Sequence, residues 1–328
     1  MKERPSIKTI ADLSGVSVAT VSRVINQNGR FSAETEERVR NVMKELNYYP
    51  NTVAKSLREN HSMVVGVIVP DITNTHFSRL VLEIENYLFQ HGYSTVICNT
   101  NESLTLEKKH LDTLISQRVS GIFVLSGEHH EMPEDIAVVY VDRRPKGYDE
   151  EKDYLVESDN EKGGYLVACK LIERGCRNIA FMYVKDGDFN NNMRYIGYKR
   201  AIDEYGLPER TINVSHVSAP VATEAVRRSL KEDGCFDGLA CTTDLLAVGS
   251  FLGLLEEGIQ VPGKVKLTGY DDSITASVYH PSLTSIHQDT VSMAKQSAEL
   301  FLRQIDGEKI PNKHILIPVR LVERETTG

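Results

Sequence analysis

Ile7-Lys8-Thr9-Ile10-Ala11-Asp12-Leu13-Ser14-Gly15-Val16-Ser17-Val18-Ala19-Thr20-Val21-Ser22-Arg23-Val24-Ile25-Asn26 reads as two short amphipathic helices flanking a turn at Gly15. Ile7, Ile10, Ala11 and Ser14 recur at helical spacing in the first, and Val18, Val21, Val24 and Ile25 in the second. Two helices joined by a short Gly-containing turn make a helix-turn-helix, whose second helix enters the DNA major groove. The outward residues of that helix, Ser17, Ala19, Thr20, Ser22, Arg23 and Asn26, are small or hydrogen-bonding. Such a surface suits phosphates and base edges, whereas a solvent-facing helix usually carries Lys and Glu. The competing reading is an ordinary helical hairpin.

The residues beyond Asn26 weigh against the hairpin. A third helix is expected from Ala33 to Leu46, with Ser32 as N-cap, Glu34, Glu36 and Glu37 at its positive end and Lys44 near its last turn. Val39, Val42, Met43 and Leu46 give it one apolar face, which closes a three-helix core. The run Tyr48-Tyr49-Pro50-Asn51-Thr52-Val53-Ala54-Lys55-Ser56-Leu57-Arg58 has helical composition after its Pro, is basic, and is too short to be stable alone. It reads as a segment that orders only against something else.

The block Ile7–Asn26, the run Lys44-Glu45-Leu46-Asn47-Tyr48, and Pro50-Asn51 followed by Val53-Ala54-Lys55-Ser56-Leu57 closely resemble the LacI/GalR family of bacterial transcription regulators. The similarity extends from about Ser6 to the C-terminus. The resemblance implies a helix-turn-helix domain over 1–49, a hinge helix and linker over 50–62, and an effector-binding and dimerisation domain over 63–328. It also implies that two hinge helices of a homodimer meet in the minor groove of a near-palindromic, double-stranded operator. There Leu57 would wedge between central base pairs, unstacking a step and bending the duplex. The DNA contacts so implied are Ser6, Ser17, Val18, Ala19, Thr20, Ser22, Arg23, Asn26, Tyr48, Asn51, Lys55 and Leu57. Ser17, Thr20 and Ser22 fall to phosphates, and Val18, Ala19 and Arg23 lie nearest the base edges.

Charge agrees with this division. Residues 1–60 hold ten Lys+Arg and seven Asp+Glu, a net of +3, so the rest holds 28 of the 38 basic and 39 of the 46 acidic residues, a net of −11. A basic head on an acidic body suits a DNA-binding module carried by a sensor. A charge of +3 is modest, which argues for binding as a dimer. With 41% apolar and 26% charged residues over 328 positions, the chain is globular and long enough for a small head and a larger body. No apolar run approaches ~18 residues and no h-region follows the basic start, so neither a membrane span nor a signal peptide is expected. That separates it from the periplasmic binding proteins its body resembles. Cys98, Cys169, Cys176, Cys235 and Cys241 are odd in number and form no C-x-x-C, which fits reduced thiols in the bacterial cytoplasm. The protein is expected there, on the nucleoid when bound to DNA.

From Met63 onward strand and helix alternate. Strands are expected at Val64–Val69, Ser94–Cys98, Gly121–Leu125, Ala137–Val141, Ile179–Val184, Thr211–Val217, Gly238–Cys241 and Val265–Tyr270, with helices between them. Repeated β-α units make parallel sheets. The fold class expected is an all-α helix-turn-helix head plus an α/β body of two Rossmann-like, periplasmic-binding-protein-like lobes. A last helix, Thr290 to Ile305, and a strand Ile315–Val319 resemble the family's return to the first lobe. Lobe one then spans about 63–160 and 290–320, lobe two about 161–289 and 321–328, with crossovers near 160, 290 and 320.

Ligands of open α/β sheets bind beyond the carboxyl ends of the strands. The polar residues there are Asp71, Asn74 and Phe77; Asp142 and Arg143; Asp159; Asn190, Asn191, Asn192 and Arg194; Thr243 and Asp244; Asp271 and Asp272; and His287 and Gln288. The effector-site set drawn from them is Asn74, Phe77, Asp142, Arg143, Asp159, Asn192, Arg194, Thr243, Asp244, Asp271 and Gln288. By resemblance, Arg194 and Asp271 match the Arg and Asp that hydrogen-bond the effector. A guanidinium fork donates to two adjacent hydroxyls and a carboxylate accepts from two more, which is what a desolvated sugar needs. Phe77 would stack on a ring face. The competing readings are that Asp272 caps a turn, Asp142 pairs with Arg143, and Phe77 is core. Two departures stand out: Thr243-Asp244 replaces the Asn-Asp of many sugar-responsive relatives, and Gly175-Cys176 stands where Gly-His is common, a surface or helix-end variation; separately, Asp188-Phe189-Asn190-Asn191-Asn192 is an unusual run suspected of helping to set ligand identity.

Enzyme readings find little support. No G-x-G-x-x-G follows a strand, and no P-loop or G-x-S-x-G occurs. Asp186-Gly187-Asp188-Phe189-Asn190 imitates the start of an EF-hand loop but has Asn191 and Gly197 where Gly and Glu are required. His129-His130-Glu131 lacks a second ligand at metal spacing. No catalytic residue, metal or cofactor is expected. The expectation is a homodimeric regulator, a repressor of a carbohydrate-use operon, whose sugar or phosphosugar effector sits between the lobes. The rival is a free-standing small-molecule carrier, which the head and the lack of a signal peptide oppose.

Overall fold

The computed structural model describes residues 5–49, 62–185 and 189–328. The expected hinge run, with Asn51, Lys55 and Leu57, lies outside them, as do Asp186, Gly187 and Asp188. The chain forms two units, Met1–Ser62 and Met63–Gly328.

In the first unit, α1 (Ile7–Ser14), α2 (Val18–Asn26) and α3 (Ala33–Glu45) each begin at a serine N-cap. Ser6, Ser17 and Ser32 accept from the backbone N–H of Thr9, Thr20 and Thr35. This satisfies a donor that every helix start leaves orphaned. Gly15 ends α1 at φ 66°, a left-handed conformation that favours glycine. Ile10, Ala11, Val21, Val24 and Val39 form the buried core, with Ile7, Ile25, Val42, Met43 and Leu46 packed around it.

The second unit begins with β1 (Val64–Val69), α4 (Thr75–Gln90), β2 (Ser94–Asn99), α5 (Leu104–Ser116), β3 (Gly121–Val124), β4 (Ala137–Val141) and β5 (Leu155–Ser158). Next come α6 (Asn160–Glu173), β6 (Ile179–Val184), α7 (Phe189–Glu204), β7 (Arg210–Val214), α8 (Ala219–Glu232), β8 (Gly238–Cys241) and α9 (Asp244–Glu256). The chain ends with β9 (Lys266–Thr268), α10 (Ile274–Val278), β10 (Ser285–Gln288), α11 (Thr290–Ile305), β11 (His314–Ile317) and β12 (Val319–Val322).

One parallel sheet runs β11-β5-β4-β3-β1-β2, and a second runs β7-β6-β8-β9. β10 and β12 pair antiparallel, Gln288 opposite Val319. Helix α11 buries Met293, Ala298 and Phe301 on the first sheet's core, so it belongs to lobe one.

The strand expected as one run, Ile315–Val319, is two. β11 ends in the first sheet at Ile317, and β12 starts beside β10 at Val319. Pro318 between them has no N–H to give either ladder, so the switch falls there. β5 and β10 were not expected, because Leu155-Val156-Glu157-Ser158 and Ser285-Ile286-His287-Gln288 are neither continuous apolar runs nor clear alternations.

Helices α6 and α7 cross closely on two glycines. A Cβ on Gly164 would lie 1.9 Å from the Arg194 carbonyl oxygen, and one on Gly197 1.9 Å from that of Glu161. This contact carries Arg194 to its partners on α6. Gly164→Ala should therefore destabilise the body by about 1–3 kcal/mol, read as a lower urea midpoint. An unchanged midpoint would mean the helices part without cost.

Candidate functional site

Residues beyond the ends of β1, β4, β5, β8, β9 and β10 meet around the side chain of Arg194, which α7 carries and which is 6% exposed. Its Nε donates to Asn160 Oδ1 at 2.7 Å and its Nη1 to the Thr242 carbonyl at 2.6 Å. The guanidinium carbon lies 3.6 Å from the centre of the Tyr270 ring, and Nη1 is 3.9 Å from Asp271 Oδ1. Gln288 Nε2 donates to the same Asp271 oxygen at 2.7 Å. From lobe one, His76 Nε2 lies 3.0 Å from Asp142 Oδ1, both side chains buried. Asn190 Nδ2, from α7, donates to the Asp142 carbonyl at 2.6 Å.

The charges are interdependent. Burial pulls the His76 imidazole down, but the charge and hydrogen bond of Asp142 outweigh it and hold His76 above its ordinary value. Burial likewise pushes Asp142 up, and His76, with Arg194 and Arg143, brings it below the usual carboxylate range. Asp271 stays raised by burial, against the opposing pull of His76 and Arg194. Asp244 is pushed up to about 7 by burial and then by the charge of Asp271.

Ser158 Oγ, Asn190 Oδ1, Thr242 Oγ1 and Gln288 Oε1 are buried without a hydrogen-bond partner among the described residues. Each belongs to, or lies within two residues of, a member of this group. A buried orphan costs about 1–3 kcal/mol, so their concentration here marks a place suited to a hydroxyl-rich molecule.

Of the residues expected in the site, Asp142, Arg194, Asp271 and Gln288 come together. The others make bonds of their own. Asn74, Asp159 and Thr243 are helix N-caps, accepting from His76, Lys162 and Leu246 N–H. Asp244 accepts from Ser273 N–H at 2.7 Å and Ser285 Oγ at 2.6 Å. Phe77 is 4% exposed within the lobe-one core. Arg143 lies 5.0 Å over the Phe77 ring and bonds both Glu102 oxygens at 3.0 Å, so the ring face is covered. Asn192 is exposed, turned about 200° around α7 from Arg194 at 100° per residue. Asn190, four residues before Arg194, shares its face. Asp272 joins His287 and Arg324.

Sequence reasoning left His76, Asn160 and Tyr270 out of the site. The available signal for His76 was its place two residues after Asn74 and immediately before Phe77, beyond the first strand.

On the head, Ser17, Val18, Ala19, Arg23 and Asn26 are exposed, Thr20 and Ser22 half-buried, and Val21 and Val24 face inward. Ser17 and Thr20 hydroxyls lie 2.9 Å apart, and Asn26 Nδ2 donates to the Ser22 carbonyl at 2.8 Å. Ser6 is committed as the α1 cap, though exposed. Tyr48 packs against the head core, a structural role not foreseen for it.

Residues 6–51 match the family model of bacterial regulatory proteins of the lacI family, and residues 168–327 match that of a periplasmic binding protein-like domain. The ribose operon repressor of Halalkalibacterium halodurans is 32% identical over 98% of this chain and 97% of its own. The lac repressor dimer bound to operator and the anti-inducer ONPF superposes with a TM-score of 0.86 at 26% identity, covering 99% of both chains. A LacI family transcriptional regulator from Enterococcus faecium with bound ribose gives a TM-score of 0.71 at 26% identity, over 81% of this chain and 98% of that one. With the head, the two-lobed body and near-complete coverage of a relative at this identity, the chain belongs to the lacI family of bacterial transcription regulators.

Proposed function

We propose that this DNA-binding regulator acts in the bacterial cytoplasm as a homodimeric repressor of a carbohydrate-use operon, and that its effector is a sugar or phosphosugar held between the lobes. The observation that carries this reading is the buried Arg194, Asn160, Asp271 and Gln288 group with its unpartnered polar atoms. It offers a guanidinium donor, a carboxylate acceptor and amides within one desolvated cleft, which is what adjacent ring hydroxyls require. The ribose-bound neighbour supports the choice of ligand class. No described helix is long and apolar enough to cross a membrane.

The dimer face we assign to exposed apolar residues of the two lobes. Val96 and Ile97 on the edge strand β2, with Leu82 and Phe89 on α4, are 38–69% exposed. Ile274 and Val278 on α10 and Leu255 on α9 are 61–72% exposed. Exposed apolar area of this kind marks association surfaces. The hinge run with Leu57 is assigned to the operator's minor groove on the resemblance.

A panel of pentoses, hexoses and their phosphates, screened by thermal shift and then in operator-binding assays, tests the reading. At least one should raise the midpoint and change operator affinity. A panel with no such member would remove the carbohydrate assignment.

On the DNA side, Arg23 is the long cation exposed on α2. It is expected to contact a guanine, so Arg23→Ala should cost about 1–3 kcal/mol and relax discrimination at one position per half-site. An unchanged ratio of operator to random-DNA binding would reject α2 as the reading helix.

A further inference from the structure

We infer that Phe189 and Asn190, the first turn of α7, form a clasp that holds lobe two against residues 142–144 of lobe one and sets how far the cleft closes without effector. The inference rests on the reading that the lobes close around a ligand.

Helix α7 belongs to lobe two, since Tyr198, Ala201 and Ile202 are buried with Ile179 and Phe181 of that sheet. Residues 142–144 follow β4 of lobe one. Among the described residues, two contacts join them. Asn190 Nδ2 donates to the Asp142 carbonyl at 2.6 Å, and the Arg144 guanidinium carbon lies 4.1 Å from the centre of the Phe189 ring.

The cation is fixed from its own side. Glu157, nearly buried, accepts from Arg144 Nε at 3.2 Å and from its Nη2, and is itself bonded to His314 Nε2 at 2.9 Å. The Tyr148 ring lies 5.3 Å from the same guanidinium. Arg144 is therefore held in place before Phe189 arrives, and little side-chain freedom is lost when the two meet. Contacts that exist only with the lobes together shift the open–closed equilibrium by their own free energy, with or without ligand. The Phe189 ring is engaged by the Arg144 guanidinium, so Phe189 is a positioning residue that acts through closure.

The experiment uses the full-length chain with no ligand added. Spin labels on Cys235, exposed in lobe two, and on Glu150→Cys, exposed in lobe one, report the interlobe distance. Phe189→Leu and Phe189→Ala leave the Arg144–Glu157 pair intact. Each should lower the closed-to-open ratio by about two- to tenfold, the range of a partly exposed cation–π contact. Phe189→Trp should hold or raise it. Phe189→Leu separates ring from bulk, and a thermal melt confirms the fold. Should Phe189→Ala not fold, the Leu and Trp variants decide. Identical distance distributions in wild type, Leu and Trp would overturn the clasp. No ligand is needed, so this outcome is independent of whether Arg194 proves to bind the effector.

Discussion

Arg194→Ala is expected to raise the effector dissociation constant by about a hundred- to a thousandfold while leaving operator binding without effector intact. The side chain is buried and satisfies Asn160 Oδ1 and the Thr242 carbonyl beside the carboxylate of Asp271. Removing it takes the donors from the site and the nearest cation from a buried acid. Breaking a buried charged contact costs about 3–5 kcal/mol. Part of that will appear as lost stability of the free protein, and the rest as affinity, at about 1.4 kcal/mol per decade. The head's core is its own, so its fold does not depend on this residue. In cells, an effector-released repressor would stay on, and one that needs its effector to bind DNA would stay off. Isothermal titration with the most stabilising sugar of the panel, paired with operator binding, separates these results. Wild-type effector affinity in Arg194→Ala would place the pocket elsewhere.

The head was legible because two independent local rules agree there. Apolar residues three and four apart locate its helices, and Ser32 caps the third; the caps at Ser6 and Ser17 emerged only in the structure. The two-lobed body was legible from the alternation of buried runs with amphipathic ones, and Arg194 and Asp271 entered the candidate site through the family resemblance. The remaining site residues were not legible, for a common physical reason. The position just after a strand and before a helix serves equally as a ligand position and as a helix N-cap. At Asn74, Asp159 and Thr243 the orphaned backbone N–H groups take the side-chain oxygen. A sequence does not distinguish the two uses.

Asn190 and Asn192 were confused for another reason. Nothing in the sequence marks where the helix after Ile179–Val184 begins, and a run outside a helix has no face, whereas the observed start at Phe189 puts Asn190 with Arg194. The His76–Asp142 pair joins residues 66 apart in the chain, a contact that no local pattern announces.

The effector-binding body is expected to lose stability as pH rises from about 5 to about 8, and Asp244→Asn to remove most of that loss. Asp244 is buried beside Asp271, and burial first, then that charge, lifts it from 3.8 to about 7. Between those values the folded protein keeps a proton that the unfolded chain has released. Stability therefore falls as pH climbs through this window and levels off above it. Asp271, also raised by burial, acts in the same direction. So does His76: held above 6.5 by Asp142 despite burial, its contribution is complete below 6.5 and is lost as pH passes its folded value. Asp142 acts only at the acid end, its contribution lost as pH falls through a value below 3.8. The maximum thus lies on the mildly acid side.

Raising the carboxyl from 3.8 to about 7 corresponds to roughly 4 kcal/mol at most. Asn at 244 can accept the Ser273 N–H and donate to the Ser285 hydroxyl, keeping both bonds without the charge. Its melting temperature should exceed the wild type's a little near pH 5 and by more near pH 8, at about 2–4 °C per kcal/mol. Melts at both pH values on wild type, Asp244→Asn and His76→Gln distinguish the sources. A slope kept in Asp244→Asn but flattened in His76→Gln would assign the effect to the His76–Asp142 pair, and equal slopes in all three would exclude both.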